Sequence, residues 1–152
     1  MTKKAENEIV SLEMAIIRIK TLFFKTNETI KITKIEQVNF NIHVETGVDI
    51  PNNLVALTVK ISFNTESDIN TKLLEGDFQT TFAIKELENW KKPDTANEVS
   101  LPDDINYTML TISISHARAL LSSLAANGPY QTMLLPLLTK DWLETELLKT
   151  KQ

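Results

Sequence analysis

In residues 38–45 apolar and polar side chains alternate without a fault: Val38, Phe40, Ile42 and Val44 against Asn39, Asn41, His43 and Glu45. The pattern returns at Val55, Leu57, Val59, Ile61 and Phe63, set against Ala56, Thr58, Lys60 and Ser62. It returns again at Phe78, Thr80, Phe82 and Ile84, after Gly76. Successive strand side chains point to opposite faces, so each segment is expected to turn one face to a core and one to water. Residues 9–24 fit two templates. Ile9, Leu12, Ile16, Ile19 and Phe23 have helical spacing, whereas Leu12, Met14 and Ile16, then Ile17 and Ile19, fit a strand with a bulge. The β-branched content favours the strand. Turn-forming residues at 47–53 and a polar run at 64–70 make short connections, which predict a four-stranded antiparallel meander.

The pattern then changes period. Leu110, Ile114, Ala117, Leu121 and Leu124 recur at helical spacing, and Asn127, Gly128 and Pro129 end that helix. The stop rests on glycine tolerating a left-handed cap and on proline lacking an amide. Residues 133–138 form an apolar, proline-broken loop, after which Thr139 or Asp141 can cap a last helix carrying Trp142, Leu143, Leu147 and Leu148. Residues 85–106, with two prolines and many charges, read as a crossover from sheet to helix. Strands first and helices last make an α+β chain: a four-stranded antiparallel sheet, a crossover loop, a long helix and a short C-terminal helix.

The 152 residues fit a single domain, 1–152, with the polar residues 1–8 expected to fray. A net charge of −4 argues against a nucleic-acid backbone as partner. The absence of cysteine removes disulfides and thiol chemistry and is compatible with the cytoplasm. No apolar run suits a signal peptide or membrane insertion.

Candidate chemistry is sparse. Gly47, Gly76 and Gly128 are too far apart for a phosphate-cradling loop, so no cofactor is expected. His43 falls on the polar side of its strand, and neither it nor His116 has a carboxylate at metal-ligand spacing, so no metal is expected either. Ser115 and His116 are adjacent, but neighbours on a helix do not face each other. Asp103 and Asp104 suit the start of a helix. No catalytic residue is assigned, and the chain is not expected to be an enzyme.

The order of elements and the helical stretch resemble the SecB-type export chaperones and the SecB-like proteins, from about Met14 to Leu148. Residues 114–118 (Ile-Ser-His-Ala-Arg) resemble the family's aromatic-proline-tyrosine-alanine-arginine start of the long helix, with Ala117 and Arg118 matching. Leu121, Leu124 and Gly128 fall on its apolar positions and terminal glycine. Leu134, Leu135 and Pro136 resemble its apolar loop, residues 54–59 its third strand, and Leu73, Glu75, Phe82 and Ile84 its fourth. Ser115 and His116 depart from the pattern, as does the run 137–139. The resemblance puts motor docking on SecA at Leu73 and Glu75, but Phe23 and Asn27 stand where the family has acidic docking residues. Coupling to SecA therefore keeps half of its surface.

What the resemblance implies is an ATP-independent holdase for non-native polypeptides or preproteins, working in protein export as a homotetrameric dimer of dimers. It implies a client groove, for which the surplus apolar residues are Leu87, Trp90, Val99, Leu101, Ile105, Met133, Leu134, Leu135, Trp142 and Leu143. Leu134 and Leu143 fit a core better than a groove, and Trp90 and Leu101 fit either. Leu110, Ile114, Ala117 and Leu121 either face the sheet or form the oligomer interface, in which case Leu121→Asp should split the oligomer and leave the sheet. Arg118 is expected to be exposed or to pair with an interface carboxylate. Two alternatives stay open: a chaperone dedicated to the antitoxin of a toxin–antitoxin system, and a non-chaperone, small-ligand-binding α+β domain.

Overall fold

The computed structural model describes residues 13–27, 38–66, 68–130, 135 and 138–148. Four strands, β1 (Met14–Thr26), β2 (Val38–Asp49), β3 (Leu54–Thr65) and β4 (Asp68–Ile84), form one antiparallel sheet. A 3-10 turn at Leu87–Trp90 opens the crossover. The long helix α1 spans Asp103–Ala125, and a last helix, α2 (Lys140–Trp142), continues as a wider π-helical turn at Leu143–Leu148.

The expected four strands, crossover, long helix and short C-terminal helix are all present, but not as a meander. The strand order is β1-β4-β3-β2. β2, β3 and β4 follow one another through short turns, whereas β1 lies beside β4, with Met14 opposite Ile84 and Thr26 opposite Leu74. This is a Greek-key arrangement, three hairpin-linked strands and a fourth beside the far one. Alternation shows which face a residue takes and says nothing about which strand lies next to it.

β1 is a strand with two irregularities, at Ile16/Arg18 and Thr21/Phe23, so Ile17 and Leu22 are the extra residues. The β2–β3 turn closes on Asn53, whose φ of 58° lies in the left-handed region that asparagine tolerates. Its amide bonds the Ile50 carbonyl at 3.0 Å, and its side-chain oxygen accepts the Leu87 amide at 3.0 Å, fastening the crossover to the end of the sheet.

One face of the sheet carries the core. Val55, Leu57, Val59, Ile61 and Phe63 of β3 and Phe78, Phe82 and Ile84 of β4 are buried there beneath Leu110, Ile114, Ala117 and Leu121 of α1. At Gly76 a Cβ would come within 2.6 Å of the Phe78 ring, so the missing side chain lets that ring lie against the strand. α1 begins after Pro102 with Asp103 and Asp104 in its first turn, where carboxylates favour the positive helix end. It ends at Ala125, as the Asn-Gly-Pro run predicts, yet no glycine has a positive φ. The left-handed cap is not used, and Pro129, which has no amide, remains the block to continuation. Thr139 caps α2, its hydroxyl accepting the Trp142 amide at 3.2 Å. Among the described residues no helix is long and apolar enough to cross a membrane. Residues 1–12, including Ile9 and Leu12, lie outside the described set, as do the side chains of Leu147 and Leu148.

Candidate functional site

A single long helix cannot cover four strands. α1 packs on β4 and β3, which leaves the apolar residues of the two outer strands only partly covered. Along β2, Val38, Phe40, Ile42, Val44 and Val48 share the core-side face and are half-buried. The Phe40 ring lies 6.5 Å from that of Trp142 and 6.5 Å from that of Phe63, so α2 is anchored beside one end of this column. In the crossover and the first turns of α1, Trp90, Val99 and Ile105 are half-buried as well.

Of the groove residues expected from the sequence, Trp90, Val99, Ile105 and Trp142 therefore keep accessible apolar surface. Leu87, Leu101, Leu135 and Leu143 do not: all four are buried in the core at 7% exposure or less. Leu87 turns inward because its amide is held by Asn53, and Leu135 because the Arg118 Nε donates to its carbonyl at 3.2 Å. Arg118 thus bonds the loop backbone. Met133 and Leu134 lie outside the described residues. The phenylalanine and valine side chains of β2 were missed as site residues because clean alternation reads as complete burial. The signal was there in the chain: only one long helix is available to cover that face.

The expected oligomer residues Leu110, Ile114, Ala117 and Leu121 are at most 4% exposed and pack inside the chain, so a second copy cannot reach them. On the outer side of α1 the Thr108, Thr111 and Ser115 hydroxyls bond back to the carbonyls of Asp104, Tyr107 and Thr111, and Leu124, expected in the buried stripe, is 43% exposed near the helix end. Leu73, expected at a docking surface, is fully buried, because the register shift between Phe63 and Asn64 turns it inward. Glu75 is partly exposed and paired with Lys72 at 3.0 Å.

The apolar surface on the other flank is larger. Ile16, Ile17, Ile19, Leu22 and Phe23 of β1 are each 43–51% exposed, on both faces of an edge strand. Ile16 and Ile19 lie on the core-side face, opposite Phe82 and Thr80, where α1 reaches only the margin of β1 and leaves them half exposed.

His116 turns away from Ser115 and towards the sheet. Its Nδ1 lies 3.0 Å from the hydroxyl of buried Thr80, and burial lowers its pKa from the ordinary 6.5. The ring is neutral in both folded and unfolded chains above that value, and its contact contributes in full. As pH falls below 6.5 the unfolded chain takes up the proton first, and stability is lost until the folded ring's own pKa is reached. The denaturant midpoint should therefore drop on acidification through this window. His116→Gln, which keeps a hydrogen-bonding side chain, should remove that part of the slope; an unchanged slope would show that other groups set it.

No family model matches the chain, and no curated protein matches it. Among solved structures, it is similar to the Mycobacterium tuberculosis Rv1957 SecB-like chaperone in complex with a ChAD peptide from the Rv1956 HigA1 antitoxin. The TM-score is 0.52 at 14% sequence identity, over 84% of this chain and 91% of that one. The chain has the SecB-like α+β fold.

Proposed function

We propose that this chain is an ATP-independent, SecB-like holdase that binds non-native polypeptide along the β2 flank. The observation that carries the reading is the half-buried apolar column of β2, bounded by Trp142 at one end and left open by α1. Extended client segments would lay alternate apolar side chains on it, and the Trp142 and Phe40 rings would supply most of the contact area. The similar structure, whose bound partner is an antitoxin peptide, supports polypeptide as the ligand class and favours a second reading, a chaperone dedicated to one antitoxin. Export through SecA gains no support from buried Leu73 and paired Glu75. The protein would act in the cytoplasm as an oligomer, its copies joined first through β1, whose exposed apolar residues suit a second β1 strand, as does its outer edge, unpaired among the described residues.

The test is to dilute a denatured client into the protein without nucleotide and follow light scattering. Suppression with several clients supports the general holdase. Suppression with antitoxin-like clients alone supports the dedicated chaperone. Trp142→Ala should raise the concentration needed by about tenfold, the cost of losing one aromatic anchor. Scattering unaffected with every client, antitoxins included, would overturn the reading.

A further inference from the structure

The face of the sheet turned away from α1 has a composition of its own. Thr80 meets His116 of α1, so the residues between the core positions of β4 (Glu75, Asp77, Gln79, Thr81) point to the open side. Their partners on β1 are Lys25, Phe23, Lys20 and Arg18. Three cations and an aromatic ring thus line the β1 side of the open face. Among the described residues, none of the three cations has a carboxylate within 4 Å, although the chain as a whole is acidic. Phe23, 43% exposed, opens into a hollow of about 350 Å³ lined also by Lys60, Ser62, Lys72, Glu75 and Asp77. Lys25 and Lys72 border a second hollow of about 740 Å³ beside it.

We propose that this open face docks an extended acidic segment of a partner protein. Arg18 and Lys20 are two residues apart on one face, a spacing of roughly 7 Å that alternate carboxylates of an extended segment reproduce. An apolar side chain of the same segment would sit on Phe23, in the hollow. Glu75 and Asp77 on the floor repel a phosphate backbone, which favours a polypeptide whose anionic and apolar residues can be placed separately over a nucleic acid. The hollow reaches across to Asn41 and His43 of β2, but on the side of the sheet opposite the apolar column, so a client and this partner would approach from different faces.

The test uses the full chain and three fluorescent probes: a 13-residue peptide, as long as β1, alternating Glu with Leu and Phe; its Lys counterpart; and a single-stranded DNA. The Glu peptide should bind, with a Kd that rises with salt and rises roughly tenfold in Lys20→Gln/Lys25→Gln. Light-scattering mass and circular dichroism of the variant show whether its fold is kept, and the salt series on the unmodified chain is decisive by itself. Lys-peptide or DNA binding as tight as that of the Glu peptide would overturn the proposal. So would Glu-peptide binding indifferent to salt and to the two lysines, or binding lost in Trp142→Ala, which would put the peptide in the β2 column.

Discussion

Leu121→Asp is expected to unfold the chain, with no folded, dissociated form. Leu121 is fully buried, its Cδ1 3.7 Å from where a Cβ on Gly76 would stand, over the strand that holds Phe78 and Thr80. Truncating a buried leucine costs about 2–5 kcal/mol. A carboxylate in its place adds a desolvation cost of several kcal/mol, because the position is fully buried among apolar side chains. Domains of this size have only about 5–15 kcal/mol in total. Far-UV circular dichroism should show the sheet signal lost. A variant that keeps its sheet and loses mass in light scattering would instead return α1 to the interface, as the sequence alone suggested.

Ile16→Lys combined with Ile19→Lys should do what Leu121→Asp cannot: separate the copies and leave each one folded. Both side chains are about half exposed in the single chain, so replacing them costs the fold little. In a symmetric β1–β1 contact each substitution occurs twice, and the loss of roughly 1 kcal/mol per side chain sums to about 4 kcal/mol. That is about three orders of magnitude in dissociation constant, before the repulsion of the added lysines. Light scattering should show the mass fall with circular dichroism unchanged. An unaltered mass would remove β1 from the interface.

These two expectations reverse the roles that periodicity alone assigns, for a physical reason. The stripe Leu110, Ile114, Ala117 and Leu121 says that one side of a helix is buried, and the pattern is the same whether a sheet or another copy covers it. Residues 38–45, 55–63 and 78–84 were legible as strands because alternation is a local property. The neighbour of β1 was not, since pairing across the sheet is non-local and the faces would be the same in either order. Leu73 was misplaced by a single register shift, and Leu87 and Leu135 by hydrogen bonds to Asn53 and Arg118 that no hydropathy pattern encodes. Trp90, Val99, Ile105 and Trp142 keep accessible surface, as their aromatic and branched side chains in polar surroundings suggested. Phe40 and its β2 neighbours were hidden by being regular.

The strand order also governs how the chain can be assembled during synthesis. β2, β3 and β4 can pair as each leaves the ribosome, since only short turns separate them. β1 emerges before them all, and its partner residues, Leu74 to Ile84, emerge after both intervening strands have been made. Until then a segment rich in isoleucine and phenylalanine has no intramolecular edge to join. Between the synthesis of β1 and that of β4, this segment is therefore an exposed apolar stretch waiting for its partner strand.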